Sequence, residues 1–140
     1  MSSGASILLA EDDRFLRKAA ETTLKRLGYT VFAAADGEEA LAMATRERPQ
    51  LILLDLIMPK LDGFGVLQAL REDERTKHIP VMVMSNLGQE SDMQLAREKG
   101  ANAYYVKSNI SLQDLGTKVQ ELLTQYASGI PGATATGGTT

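Results

Sequence analysis

Leu51–Gly63 reads LILLDLIMPKLDG: four consecutive aliphatic residues, a carboxylate at Asp55, then a turn segment rich in proline, lysine, aspartate and glycine. A strand with one wet face alternates apolar and polar side chains. An unbroken apolar run is instead the pattern of a parallel strand covered on both faces. Similar runs recur at Ile7–Ala10 (ILLA), Thr30–Ala34 (TVFAA), Val81–Met84 (VMVM) and Ala103–Val106 (AYYV). Between them apolar residues return at three- or four-residue intervals, the period of a helix. They are Leu16, Ala20, Leu24 and Leu27; Leu41 and Ala44; Val66, Leu67 and Leu70; Met93 and Ala96; and Leu112, Leu115, Val119, Leu122 and Tyr126. Asp36 with Glu39 and Ser111 with Asp114 have the spacing of capping boxes, and Gly28 and Gly100 stand where glycines close helices. Pro49 and Pro80 can stop what precedes two of the strands. Five strand–helix units in a row predict an α/β fold with one parallel sheet, right-handed crossovers and helices on both faces.

The chain has 140 residues, the size of one domain, with 44% hydrophobic and 24% charged residues. A net charge of −3 gives no basic footprint for tracking nucleic-acid phosphates. Zero cysteines exclude disulfides, thiolate metal sites and a cysteine nucleophile, and the single histidine, His78, excludes a multi-histidine metal centre. No apolar run approaches the length of a membrane span, and Met1–Ser6 lacks the pattern of a signal peptide. These features predict a soluble, cytoplasmic, one-domain protein over residues 6–126. Residues 127–140 (ASGIPGATATGGTT) lose all charge and read as a flexible Gly/Thr-rich tail, the start of a linker or a cloning remnant, with no function assigned to it.

In a doubly wound parallel sheet, ligands bind in the crevice at the carboxyl ends of the strands, where strand order reverses. The first strand ends at Glu11-Asp12-Asp13, the third at Asp55, the fourth at Ser85 and the fifth at Lys107. Acids after the first strand are also what a helix N-terminus favours, so Glu11–Asp13 alone says little. Asp55 says more, because a carboxylate next to the most buried run is costly without a partner. Clustered carboxylates repel unless a cation is bound, and Mg²⁺ (or Mn²⁺) suits an all-oxygen donor set. Such a site can align and neutralise a phosphoryl group: Asp55 attacks in line, while the cation, Lys107 and Ser85 each take a phosphoryl oxygen.

These residues resemble the receiver domain of two-component response regulators, over about Ser6–Tyr126. The acidic pair Glu11-Asp12, the Asp55 to Asp62-Gly63 segment with Met58-Pro59, VMVMS and YYVK carry the likeness. The resemblance implies a flavodoxin-like (βα)5 sandwich with sheet order 2-1-3-4-5. It implies Asp55 as phosphoacceptor, and a metal site from Asp12, Glu11 through a water, Asp55 and the Ile57 backbone carbonyl. Lys107 would contact the phosphoryl group, Ser85 would be the switch hydroxyl and Tyr104 the switch aromatic, with Tyr105 on the opposite strand face. The implied partners are a sensor histidine kinase or phosphotransfer protein, and a downstream protein bound through the fourth helix, fifth strand and fifth helix. The chain would act as a monomer or a phosphorylation-dependent dimer, without direct nucleic-acid or membrane contact. It would be no enzyme beyond Mg²⁺-dependent self-phosphorylation and slow autodephosphorylation. Were the chain complete, output would run through protein–protein contact.

Some positions depart from the family pattern. Ser108 replaces the proline common after the lysine, which predicts a trans Lys107–Ser108 bond and an altered loop. Asn86 narrows access beside Ser85. The two positions that tune dephosphorylation hold Ile57 and Leu87, neither able to orient a water, which predicts a long-lived phosphoryl group. A phosphorylation-independent interaction module of the same fold is the alternative. A dehalogenase-type hydrolase would want an aspartate where Ile57 stands, and a flavin carrier would not place acids after the first strand. His78 reads as a surface residue, Met82, Met84 and Met93 as core fillers, and Arg71–Lys77 as a solvated helix end.

Overall fold

The computed structural model describes residues 4–126. Strands β1 (Ser6–Ala10), β2 (Thr30–Ala34), β3 (Leu51–Leu54), β4 (Val81–Ser85) and β5 (Ala103–Val106) alternate with helices α1 (Arg14–Arg26), α2 (Gly37–Glu47), α3 (Gly63–Glu72), α4 (Glu90–Glu98) and α5 (Leu112–Tyr126). A short 3₁₀ turn, Lys107–Asn109, joins β5 to the loop before α5. All pairings are parallel and the sheet order is β2-β1-β3-β4-β5, the flavodoxin-like arrangement expected. The stretch 127–140, read from sequence as a tail, lies outside the described residues.

Strand side chains alternate between two cores. Leu8, Ala10, Ile52, Leu54, Val81 and Val83 face α2, α3 and α4, meeting Ala40, Ala44, Val66, Leu67, Leu70 and Ala96. Ile7, Leu9, Leu51, Leu53 and Met82 face α1 and α5, meeting Ala20, Leu24, Leu115, Val119 and Leu122. Every residue of central β3 is buried, as its unbroken apolar run requires.

Local signals hold. Ser111 and Asp114 form a reciprocal box, with the Asp114 amide donating to Ser111 Oγ at 3.0 Å and the Ser111 amide to Asp114 Oδ2 at 3.1 Å. The Glu39 amide donates to Asp36 Oδ1 at 2.8 Å. Gly28 and Gly100 take positive φ after α1 and α4. The helix α2 ends without a glycine, on Arg48 in the left-handed region just before Pro49. All peptide bonds among the described residues are trans, Lys107–Ser108 included.

Two readings need correction. Leu16 and Leu27 share the apolar period of α1 but lie at the rim of its buried stripe, 41% and 51% exposed. Arg71–Lys77 is not simply a solvated helix end. The Arg71 guanidinium donates to the carbonyls of Gly100, Lys77 and Ile79 and to Asn102 Oδ1, and Thr76 is buried with its hydroxyl on the Leu70 carbonyl. Arg71 thereby ties the end of α3 to the turns that lead into β4 and β5. His78 is exposed, as expected.

Candidate functional site

The order of the sheet reverses between β1 and β3, so the segments leaving these neighbouring strands open a crevice between them. Glu11 and Asp12 follow β1, and Asp55 follows β3. One carboxylate oxygen from each of the three lies within 4.8 Å of the others. Glu11 and Asp55 are buried while Asp12 is exposed, so the cluster opens to solvent on one side.

Lys107 reaches in from the end of β5. Its Nζ lies 2.6 Å from Glu11 Oε1 and 2.8 Å from Asp55 Oδ2, with the lysine side chain only 12% exposed. Burial disfavours the Lys107 ammonium, but its hydrogen bonds to Asp55 and Glu11, and their charges, outweigh that effect and raise its pKa above the ordinary lysine range. Burial pushes the Glu11 carboxyl up, and the hydrogen bonds from Lys107 and the Asp13 amide only partly counter it. Three carboxylates thus face one ammonium. The other Asp55 oxygen, Oδ1, accepts from the Ile57 amide at 3.2 Å, and the Ile57 side chain stands half-exposed at the rim.

Ser85 is fully buried at the end of β4, its Oγ accepting from the Leu87 amide at 3.2 Å. Tyr104 faces the same side, packed against the core beneath α3 and α4, and its hydroxyl donates to the Leu87 carbonyl. The ring therefore lies against the loop that follows Ser85. Burial and the Asp92 charge hold the Tyr104 phenol above the usual tyrosine range. Tyr105 belongs to the opposite core with Lys118 Nζ 5.6 Å from its ring centre, as the strand period predicts.

All-oxygen donors converging with an open side fit a hard cation that keeps several waters, Mg²⁺ or Mn²⁺. Asp12 would coordinate directly and Asp55 would share an oxygen, while Glu11, already held by Lys107 and Asp13, suits a water-bridged role.

Two residues whose part is not legible in the sequence also build this site. Gly63 opens α3 where an added Cβ would meet the Asp55 carbonyl oxygen and the Leu56 Cα, each at 2.5 Å. Only glycine lets α3 start this close to the end of β3. On α1, Arg17 Nη1 donates to the Glu11 carbonyl at 2.9 Å and to the Asp12 carbonyl at 3.3 Å.

The family model for the response regulator receiver domain matches residues 7–120. The chain belongs to the response regulator receiver domain family. Among curated proteins, the receiver is 42% identical over 117 residues to a "Probable transcriptional regulator ycf27" of Porphyridium aerugineum, covering 84% of this chain and 47% of that one. The DNA-binding dual master transcriptional regulator RpaA of a Synechocystis strain is 39% identical over 117 residues, covering 84% and 48%. The chain spans about half the length of these relatives. Among solved structures, chemotaxis protein CheY4 of Vibrio cholerae is 30% identical with a TM-score of 0.79, covering 85% of this chain and 98% of that one. The BeF3-activated N-terminal receiver domain of RstA from Klebsiella pneumoniae is 25% identical with a TM-score of 0.77, covering 84% and 97%. No helix among the described residues is long and apolar enough to cross a membrane.

Proposed function

We propose that this receiver accepts a phosphoryl group on Asp55 from the phosphohistidine of a sensor kinase or phosphotransfer protein. The observation that carries this reading is Lys107 Nζ bridging Asp55 and Glu11 at the strand-order switch point, with Asp12 beside them. Asp55 Oδ forms the new O–P bond as the P–N bond to histidine breaks, and the histidine nitrogen leaves neutral once protonated. Lys107, freed from one carboxylate as that oxygen is esterified, pairs with a phosphoryl oxygen. A bound Mg²⁺ or Mn²⁺ would neutralise the developing charge.

The phosphoryl group then draws the Ser85 hydroxyl from the Leu87 amide, and the β4–α4 loop and Tyr104 follow it. The α4-β5-α5 surface changes shape for a protein partner. Inverting a 1:99 equilibrium takes about 5.5 kcal/mol, within reach of a few charge-assisted hydrogen bonds of about 1.5–3 kcal/mol each. The names of the relatives point to a transcriptional output. In this reading the receiver itself, with a net charge of −3 and no basic footprint for DNA, passes its switch to a protein surface.

Adding beryllofluoride with Mg²⁺, a phosphoryl mimic, tests the switch. Backbone amide resonances of Ser85, Leu87, Tyr104 and Lys107 are expected to move in the wild type and stay fixed in Asp55→Asn. Unmoved resonances in the wild type would favour the phosphorylation-independent module instead.

The acyl phosphate is expected to persist. Ile57 stands at the rim of the site and Leu87 beside Ser85, and neither side chain can hydrogen-bond an attacking water. Ile57→Asn supplies such a group and is expected to speed phosphate loss by about tenfold or more. Timed intact-mass measurements without phosphatase check this, and rapid loss from the wild type would contradict it.

A further inference from the structure

Glu11 and Asp12 are adjacent, and in an extended strand their side chains would point to opposite faces. Both nevertheless bring a carboxylate oxygen to Asp55. The backbone must therefore turn between them, and the turn is visible in their carbonyls, which converge on one nitrogen, Arg17 Nη1. The flanks of this turn are held from elsewhere. The Glu11 amide donates to the Ala34 carbonyl at 3.0 Å, and Asp13 caps α1 by accepting from the Leu16 amide at 3.0 Å. The Asp13 amide also donates to Glu11 Oε2 at 2.9 Å. Asp12, exposed and placed between these anchors, is gripped at its carbonyl from the first turns of α1. We propose that Arg17 is a positioning residue: its guanidinium clamps the Glu11–Asp12 turn so that the Asp12 carboxylate is aimed at the cation site.

This rests on the reading of the acidic cluster as a Mg²⁺ site. Charge and positioning make opposite predictions. A guanidinium near a cation site repels the cation, so as a mere charge Arg17 would weaken Mg²⁺ binding, and its removal would tighten it. As a clamp its removal weakens binding, because Asp12 then samples orientations that miss the cation. Groups that orient metal ligands are worth about 10–100-fold in affinity.

The test titrates Mg²⁺ into the wild type, Arg17→Met, Arg17→Lys and Arg14→Met. Binding is followed by the backbone amide shifts of Asp12 and Asp13, with the thermal midpoint of each variant recorded without Mg²⁺. Arg14 is exposed on the same turn and controls for the lost charge. Mg²⁺ affinity is expected to fall about tenfold or more in Arg17→Met. It should recover in part in Arg17→Lys, whose ammonium can still donate to one carbonyl, and hold or rise slightly in Arg14→Met. Equal or tighter binding by Arg17→Met, with the wild type saturating, would overturn the clamp alone. Should Arg17→Met fail to fold, Arg17→Lys binding Mg²⁺ as tightly as the wild type or more tightly would overturn it. A wild type that never saturates would overturn the cation site itself, and the clamp with it.

Discussion

Lys107→Met is expected to lower unfolding free energy by about 3–5 kcal/mol at pH 8, and by much less near pH 5. Methionine can replace the apolar stem of the lysine, so packing is not the issue. The loss is electrostatic: the Glu11 and Asp55 side chains, only 8% and 6% exposed, would keep their charges without the ammonium that bridges them. One of them can take up a proton, and burial has already pushed Glu11 in that direction. An acid whose pKa is higher in the folded than in the unfolded chain binds more protons when folded. Stability then falls as pH rises from the unfolded value through the raised folded one, and recovers as pH drops below that window. The wild type should show a weaker dependence of the same sign, because the Lys107 ammonium offsets part of the burial that raises Glu11. Thermal unfolding at pH 5 and pH 8 measures the effect, with an expected drop of about 10 °C or more at pH 8. Mg²⁺ should stabilise Lys107→Met more than the wild type, since it replaces the missing positive charge. An equal shift at both pH values would mean that packing, not charge, is the role of Lys107.

The second large effect is expected at Gly37, the first residue of α2. A Cβ there would meet the Leu61 carbonyl oxygen at 1.8 Å, its carbon at 2.7 Å and its Cβ at 2.8 Å. The obstacle is backbone, so it cannot swing aside as a flexible side chain would. Gly37→Ala must push the loop between β3 and α3 away from α2. That loop carries Asp62, which caps α3 by accepting from the Gly65 amide at 2.9 Å, and it leads directly from Asp55. A cost of about 3 kcal/mol is expected, at the upper end for forced overpacking. Phosphoryl acceptance should slow as well, because the loop that orients Asp55 moves. Gly88→Ala is the control. Its Cβ would meet only Val106, at 3.6 Å and beyond, an ordinary contact, so it should change stability by about 0.5 kcal/mol or less. Denaturant unfolding of the two variants checks the contrast, and equal effects would contradict it.

Much of this molecule was legible before any coordinates. The unbroken runs at Leu51–Leu54 and Val81–Met84 are strands because both faces are covered, and topology then forces their ends into one crevice. Ser85 and Lys107 are ordinary residues singly and join Asp55 in a site through that topology. What stayed hidden were contacts to backbone far along the chain. Arg71 reads as one more charge in REDERTK, yet its partners are carbonyls at Gly100 and Ile79 that leave no mark in the sequence. Arg17 sits in a helix where any charged residue would be unremarkable, and its partners too are carbonyls. The requirement at Gly37 comes from Leu61, a neighbour only after folding. Leu16 and Leu27 show the opposite error: a helical period marks a stripe but not where its edge meets water.

The central claim is that Asp55 accepts a phosphoryl group with the help of a divalent cation. Intact mass after incubation with acetyl phosphate and Mg²⁺ tests it most directly, alongside Asp55→Asn and a chelated sample. The account predicts a mass gain of one phosphoryl group in the wild type, absent in Asp55→Asn and absent without the cation. The same gain in Asp55→Asn, or a gain indifferent to the cation, would contradict it.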